Sequence, residues 1–307
     1  MTSHPSFHAT RAASRRRDNR RVEIERWWSD GERVPITLGG VERLVFVRRL
    51  GAGPAMTLLH GFPSSSYDWA KVVPELSERR SLLLLDFLGF GASDKPRDHE
   101  YSLLEQADLV EAIFKREGIA ETVLVAHDYA VSVAQELLAR RAEGRLETDL
   151  RAVRLLNGGL YPDLHRRQPT QELLLDPDQG PRVGELMNEQ LFTEGLRPTF
   201  ADGYDAGADS AAMWRAMQRD GGQLIVHLLA RYMVDREQHE ARWVAALDRA
   251  DVPLSFVWGM LDPVSGAHMA QRIAERLPEA PLLALAGVAH WPQLEDPSRV
   301  ADALLAD

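Results

Sequence analysis

Short apolar runs alternate with helical patterns along this chain, and that rhythm constrains the fold more than any other feature. Strand-like runs lie at 43–48, 56–59, 82–86, 122–126, 153–157, 254–258 and 282–285. Helical periodicity falls between or after them, at 103–117, 132–141, 267–277 and 297–305. Such alternation is how a mostly parallel sheet with crossover helices is written in sequence. The runs around Leu82 and Val123 are apolar on consecutive residues, as strands covered on both faces must be. The fold class expected is therefore α/β.

The rhythm breaks once. From Tyr161 to Asp248 the sequence is helical and polar, interrupted by Pro, Gly and Asp near 176–181 and 201–208, with no convincing strand. It resumes at Val252. One sheet divided by a helical stretch implies a core of residues 27–160 and 249–307 carrying an inserted helical cap, 161–248. Residues 1–26 precede this core. They carry Arg11, Arg15, Arg16, Arg17, Arg20, Arg21 and Arg26 and few apolar residues, so a solvated, flexible basic arm is expected.

Totals exclude several classes of function. A net charge of −10 over 307 residues does not suit nucleic acid as the main partner, since phosphate binding needs a cationic surface. With no cysteine the chain has no disulfide, thiolate metal site or thiol nucleophile. No apolar run reaches the roughly 18–20 residues of a membrane span, and the N-terminus lacks an apolar signal core. A cytoplasmic protein without an integral membrane segment, monomeric or homodimeric, is the expectation. No histidine pair has trustworthy zinc-ligand spacing, and no phosphate loop or dinucleotide fingerprint is present. No cofactor or metal is expected.

Chemistry concentrates where predicted strands end, as it does in open α/β sheets. His60-Gly61-Phe62-Pro63 follows one strand, and its turn suits a backbone N–H, that of Phe62, aimed at a reacting centre. The glycine-rich 86–94 reads as structural support. In Ala126-His127-Asp128-Tyr129-Ala130 an apolar strand meets a helix at a polar pair between small residues. An Asp there could simply cap the helix. The same turn, when strained, instead presents an attacking side chain, here Asp128. Ser132 lies four residues on, inside the helix. Asp262 then ends a strand, and His290 follows in a loop 28 positions later. A buried carboxylate of this kind holds an imidazole in the tautomer that takes a proton from water.

With these residues the chain resembles the epoxide hydrolase and haloalkane dehalogenase branch of the α/β-hydrolase superfamily. It is similar above all to the mesoderm-specific transcript group of epoxide-hydrolase-like proteins. The order Asp128, Asp262, His290 and the pair His127-Asp128 carry the resemblance. So do Val133 to Leu137, Asn157-Gly158-Gly159, Arg242 to Leu247 and Pro292 to Pro297, and the likeness runs from about Trp27 to Ala306. Ala126 and Ala130 depart from the glycines usual at the elbow. The resemblance implies an α/β-hydrolase fold, Asp128 as nucleophile, His290 as general base and Asp262 as its orienting acid. The backbone N–H groups of Phe62 and Tyr129 would form an oxyanion hole, with His60, Trp291 and Tyr161 around a pocket for a small apolar electrophile.

Two implied features separate the candidate reactions. Dehalogenases hold halide with indole N–H groups, one on the Trp after the nucleophile, where this chain has Tyr129. Epoxide hydrolases protonate the opening oxygen with cap tyrosines, and Tyr232 stands where one is implied. Its partner would fall near Phe192, with Tyr161 and Tyr204 as weaker substitutes. Epoxide hydrolysis leads. Haloalkane dehalogenation, ester hydrolysis and a non-catalytic scaffold are the alternatives.

Overall fold

The computed structural model describes residues 23–306. The expected basic arm lies outside them up to position 22. Its remaining residues are not a solvated tail: 23–29 are helical, and Ile24, Trp27 and Trp28 are buried. This turn supplies apolar anchors to the core.

Eight strands form one sheet in the order β1-β2-β4-β3-β5-β6-β7-β8. They are β1 (Glu32–Leu38), β2 (Val41–Leu50), β3 (Ala55–Leu59), β4 (Ser81–Leu85), β5 (Glu121–His127), β6 (Asp149–Leu156), β7 (Leu254–Gly259) and β8 (Leu282–Leu285). β2 runs antiparallel to β1 and β4, and β4-β3-β5-β6-β7-β8 is parallel throughout.

β1 was not foreseen. Only Val34, Ile36 and Leu38 of this strand are buried, and Pro35 interrupts the run. A proline is tolerated there because β1 is an edge strand, with one side free of ladder bonds. The hairpin to β2 turns through Gly39 and Gly40 at φ 55° and 83°, a two-residue turn that L side chains resist.

Strand alternation splits the core into two layers. On β4, Leu83 and Leu85 face one layer and Leu82 and Leu84 the other. On β5, Leu124 and Ala126 face the first, Val123 and Val125 the second. The first layer is covered by the helices Leu103–Glu117, Tyr129–Ala142 and Ala267–Arg276, and the second by Val73–Ser77 and Pro297–Leu305. Helix Leu103–Glu117 shows why such segments form. Ser102 accepts from Glu105 N–H at one end, and Gly118 closes the other in the left-handed conformation.

Between β6 and β7 the chain makes only helices and turns. Their last helix, Glu240–Asp248, lies against Tyr129–Ala142, where buried Glu136 accepts from Trp243 Nε1 at 2.9 Å and from Arg242 Nε at 2.9 Å. The preceding helices close over the C-terminal ends of the parallel strands. Among the described residues, no helix is long and apolar enough to cross a membrane.

Candidate active site

β5 ends at His127 and the next helix begins at Tyr129, so a single residue must turn the chain. Asp128 does so at φ 48° and ψ −104°, a conformation that costs a non-glycine residue about 1–3 kcal/mol. Neighbouring backbone holds it there: Asp128 N–H donates to Asn157 O at 3.0 Å and Leu156 O at 3.3 Å. The flanking Ala126 and Ala130 are fully buried, so the departures from glycine fit. At Gly61 they would not. A Cβ there would lie 2.9 Å from both Asp128 Cβ and His127 Nδ1. Gly61→Ala is expected to push the carboxylate aside and slow turnover roughly 10²-fold, as an ångström-scale misplacement does. Kinetics beside a thermal melt would check this, and an unchanged rate would show that Gly61 does not fix the carboxylate.

The turn after β3 brings Phe62 N–H to within 2.9 Å of Asp128 Oδ2. That donor leaves Oδ1 as the free carboxylate oxygen. It sits 3.9 Å from His290 Nε2, beyond hydrogen-bond reach. The Tyr129 N–H is the first amide of the following helix, among the amides that a helix start leaves unpaired.

His290 is fixed from three sides. Its Nδ1 donates to Asp262 Oδ2 at 2.8 Å, its N–H to Thr199 O at 3.0 Å, and its carbonyl meets His127 Nε2 at 2.8 Å. Asp262 also accepts from Ser265 Oγ (2.7 Å), Asn157 Nδ2 (3.0 Å) and Val264 N–H (2.8 Å). Burial alone would raise the Asp262 carboxyl, but the His290 charge and these donors hold it below the usual carboxylate range. For His290, burial opposes protonation. The Asp262 charge and hydrogen bond, with Asp128 beyond, override it and lift the imidazole to about 9. His127 moves the other way, to about 4, through burial and the neighbouring His290. It therefore stays neutral at physiological pH and donates from Nε2 to the His290 carbonyl.

Asp128, His290 and Phe62 border a cavity of about 100 Å³ beneath the inserted helices. Its wall is mostly apolar, with Leu174, Phe192, Met217, Val226 and Trp291, and Gln168 and Gln171 supply amides. Trp291 lines this cavity, with its indole N–H committed to Thr199 Oγ1 at 2.9 Å.

Two expected pocket residues are corrected. His60 is fully buried against Phe87 and Phe90, with Nδ1 2.8 Å from Gly61 O and Nε2 accepting from Phe87 N–H; it braces the turn and does not line the cavity. Tyr161 is buried beneath Arg272 and Arg276 and is likewise absent from the cavity wall. Tyr232 packs between Phe62 and Tyr129, just behind the wall, and its hydroxyl accepts from Gln171 Nε2 at 3.1 Å. Phe192 lines the cavity but has no hydroxyl, and the Tyr204 hydroxyl donates to Asp209 Oδ2 at 2.6 Å.

Three functional candidates were missed. Asn157 appeared only within a matching stretch, yet it ties Asp262 to β7 through Gly259. Gln171, on helix Pro169–Leu175, was not considered. Arg236 was not considered either, although its place four residues after Tyr232 sets both on one helix face.

A family model described as alpha/beta hydrolase fold matches residues 54–297. The chain belongs to this family. LipZ of Mycobacterium tuberculosis is 41% identical over 284 residues, 92% of this chain and 96% of that protein. The human mesoderm-specific transcript homolog protein is 39% identical over 257 residues, 81% of this chain and 76% of that protein. Among solved structures, haloalkane dehalogenase DbeA from Bradyrhizobium elkani superposes with a TM-score of 0.73 at 22% identity. The alignment covers 90% of this chain and 96% of that one, a likeness of fold. The expected α/β-hydrolase fold and the resemblance to the mesoderm-specific transcript group both stand.

Proposed function

We propose that this α/β-hydrolase attacks an electrophilic carbon with the Asp128 carboxylate and that its substrate is an epoxide. The observation that carries the reading is the two-sided environment of that carboxylate. Oδ2 is held by an amide while Oδ1 faces an apolar cavity with His290 beyond it. Oδ1 forms a bond to the substrate carbon as the carbon–oxygen bond of the ring breaks, giving an alkyl-enzyme ester and an alkoxide. Covalent capture divides one difficult displacement into two easier steps. His290 then takes a proton from water as the oxygen adds to Cγ of Asp128. The oxyanion forms on Oδ2 against the Phe62 and Tyr129 N–H groups, each donor contributing roughly 2.7–4 kcal/mol. Collapse expels Oδ1 with the product, which takes the proton back from His290.

The ring-opening alkoxide needs a proton, and Tyr232 is the phenol nearest the site. Burial, with Asp128 second, raises its pKa, so it remains a neutral O–H donor throughout the working pH range. The Gln171 amide joins that hydroxyl to the cavity wall. Halide release is the second reading. It needs weak N–H donors in a dry pocket, but Tyr129 stands where an indole would serve, and the Trp291 N–H is already engaged by Thr199. A binding member without turnover has no use for a strained carboxylate beside a tethered imidazole.

A panel of one epoxide, one haloalkane and one phenyl ester tests the reading, with diol formation expected. Tyr232→Phe should then slow epoxide alkylation about 10²-fold or more, within the roughly 10²–10⁴ of a general acid. Halide release by the wild type, with epoxide turnover untouched in the variant, would replace the epoxide reading by the dehalogenase one.

A further inference from the structure

Beside the nucleophile, and not among the residues of the cavity wall, lies a charged side chain that the two steps above do not use. Arg236, on helix Tyr232–Gln238, is 1% exposed. Its Nη2 donates to the Asp128 carbonyl at 2.9 Å and stands 3.8 Å from Asp128 Oδ1. Its Nε donates to Ser132 Oγ at 2.7 Å, one turn into the helix that follows the elbow. The guanidinium lies 4.5 Å over the Tyr232 ring, and a Cβ at Gly159 would come within 2.6 Å of Nη1. Among the described residues, Nη1 has no hydrogen-bond partner. The planar group is thus clamped by Ser132, the Asp128 carbonyl, Tyr232 and the bare backbone of Gly159. It also borders a polar recess of about 300 Å³, which it shares with His165, Arg167, Glu172 and Glu237.

Burying a cation this deeply is costly unless something holds or uses its charge. Glu172 and Glu237 do not, because both pair with Arg167. Among the described residues, the anionic side chain paired with it is Asp128. We infer that Arg236 is a positioning residue for the second half of the reaction, holding the elbow and setting a fixed positive charge beside the oxygen that must depart. This inference rests on the aspartate-nucleophile reading.

The two steps treat that charge differently. Attack on the substrate discharges the carboxylate, so a neighbouring cation gives the first step no advantage beyond orientation. Ester cleavage expels Oδ1 as an alkoxide when the Cγ–Oδ1 bond breaks. Negative charge then develops on the atom 3.8 Å from Nη2 before the His290 proton reaches it. A preorganised cation in a dry site acts where charge develops. Because Arg236 reaches in from the insert, it also ties the inserted helices to the elbow.

The test is single-turnover mass spectrometry of the peptide containing Asp128, with wild type, Arg236→Met and Arg236→Lys against an aryl glycidyl ether and a 1-bromoalkane. Thermal melts run beside it. For Arg236→Met the expected result is alkylation within a few-fold of wild type and ester hydrolysis slowed roughly 10²-fold, so that ester accumulates although His290 is intact. Arg236→Lys should recover part of the hydrolysis rate by restoring the charge without the fork. Equal slowing of both steps, or hydrolysis unchanged in Arg236→Met, would overturn the proposal and leave the nucleophile in place. Should Arg236→Met fail to fold, the lysine variant alone decides: hydrolysis slowed more than alkylation supports the inference, and both steps slowed alike overturns it. A wild type that neither probe labels at Asp128 would remove the nucleophile and this inference together.

Discussion

Asp128→Asn is expected to abolish turnover, by roughly 10⁴-fold or more, while the protein still folds and melts close to wild type. The size follows from chemistry: an amide is a poor nucleophile, and among the described residues no other carboxylate on the cavity wall could replace it. The mildness toward folding follows from geometry. Asn is among the few L residues that tolerate positive φ, which this turn requires at 48°. It is also close to Asp in volume, so it fits the same place beside Gly61 and Phe62. Freshly purified variant should be assayed at once and its Asp128 peptide weighed, because deamidation would regenerate the carboxylate. Full steady-state activity in protein shown to remain Asn would remove Asp128 from the chemistry.

The same turn explains why so much of the site can be read from sequence. An apolar run ending in a polar pair before a helical pattern is a local signal, and His60 to Phe62, Asp262 and His290 are likewise strand-end signals. Local chain geometry binds these residues to their places. What sequence misplaced depends on packing between distant segments. His60 and Tyr161 look like pocket residues, but each is turned inward by neighbours supplied from elsewhere, Phe87 and Phe90 for one and Arg272 and Arg276 for the other. Arg236 and Gln171 lie on helices whose amphipathic pattern says only that they pack. Which of their polar groups meets Asp128 or Tyr232 is decided by how those helices close on the sheet. β1 was lost for another reason. An edge strand buries one side only, and Pro35 masks its alternation, although Gly39-Gly40 marks the hairpin.

His290→Gln separates the two steps. Alkylation as proposed draws on Asp128 and Tyr232 but not on His290, so the variant should react once and stop, leaving a trapped ester that appears as a mass increase on the Asp128 peptide. Glutamine retains a donor for Asp262 but cannot take a proton from water. The pH dependence sharpens the assignment. His290 is lifted to about 9 partly by the Asp128 charge, so the free enzyme carries an imidazolium at neutral pH. Esterification abolishes that charge, the imidazole pKa falls, and the base form becomes available when water must be activated. Wild-type ester hydrolysis should therefore rise with pH to a plateau set by a pKa below 9, and the variant should show no such limb. Stability moves in the opposite sense. A folded-state pKa above the ordinary value of about 6.5 contributes stability in full below that pH, and the contribution is lost as pH climbs to about 9. The wild type should lose melting temperature across this window more steeply than His290→Gln. An unmodified Asp128 peptide in the variant, after incubation with a substrate the wild type turns over, would mean that His290 acts before the ester forms.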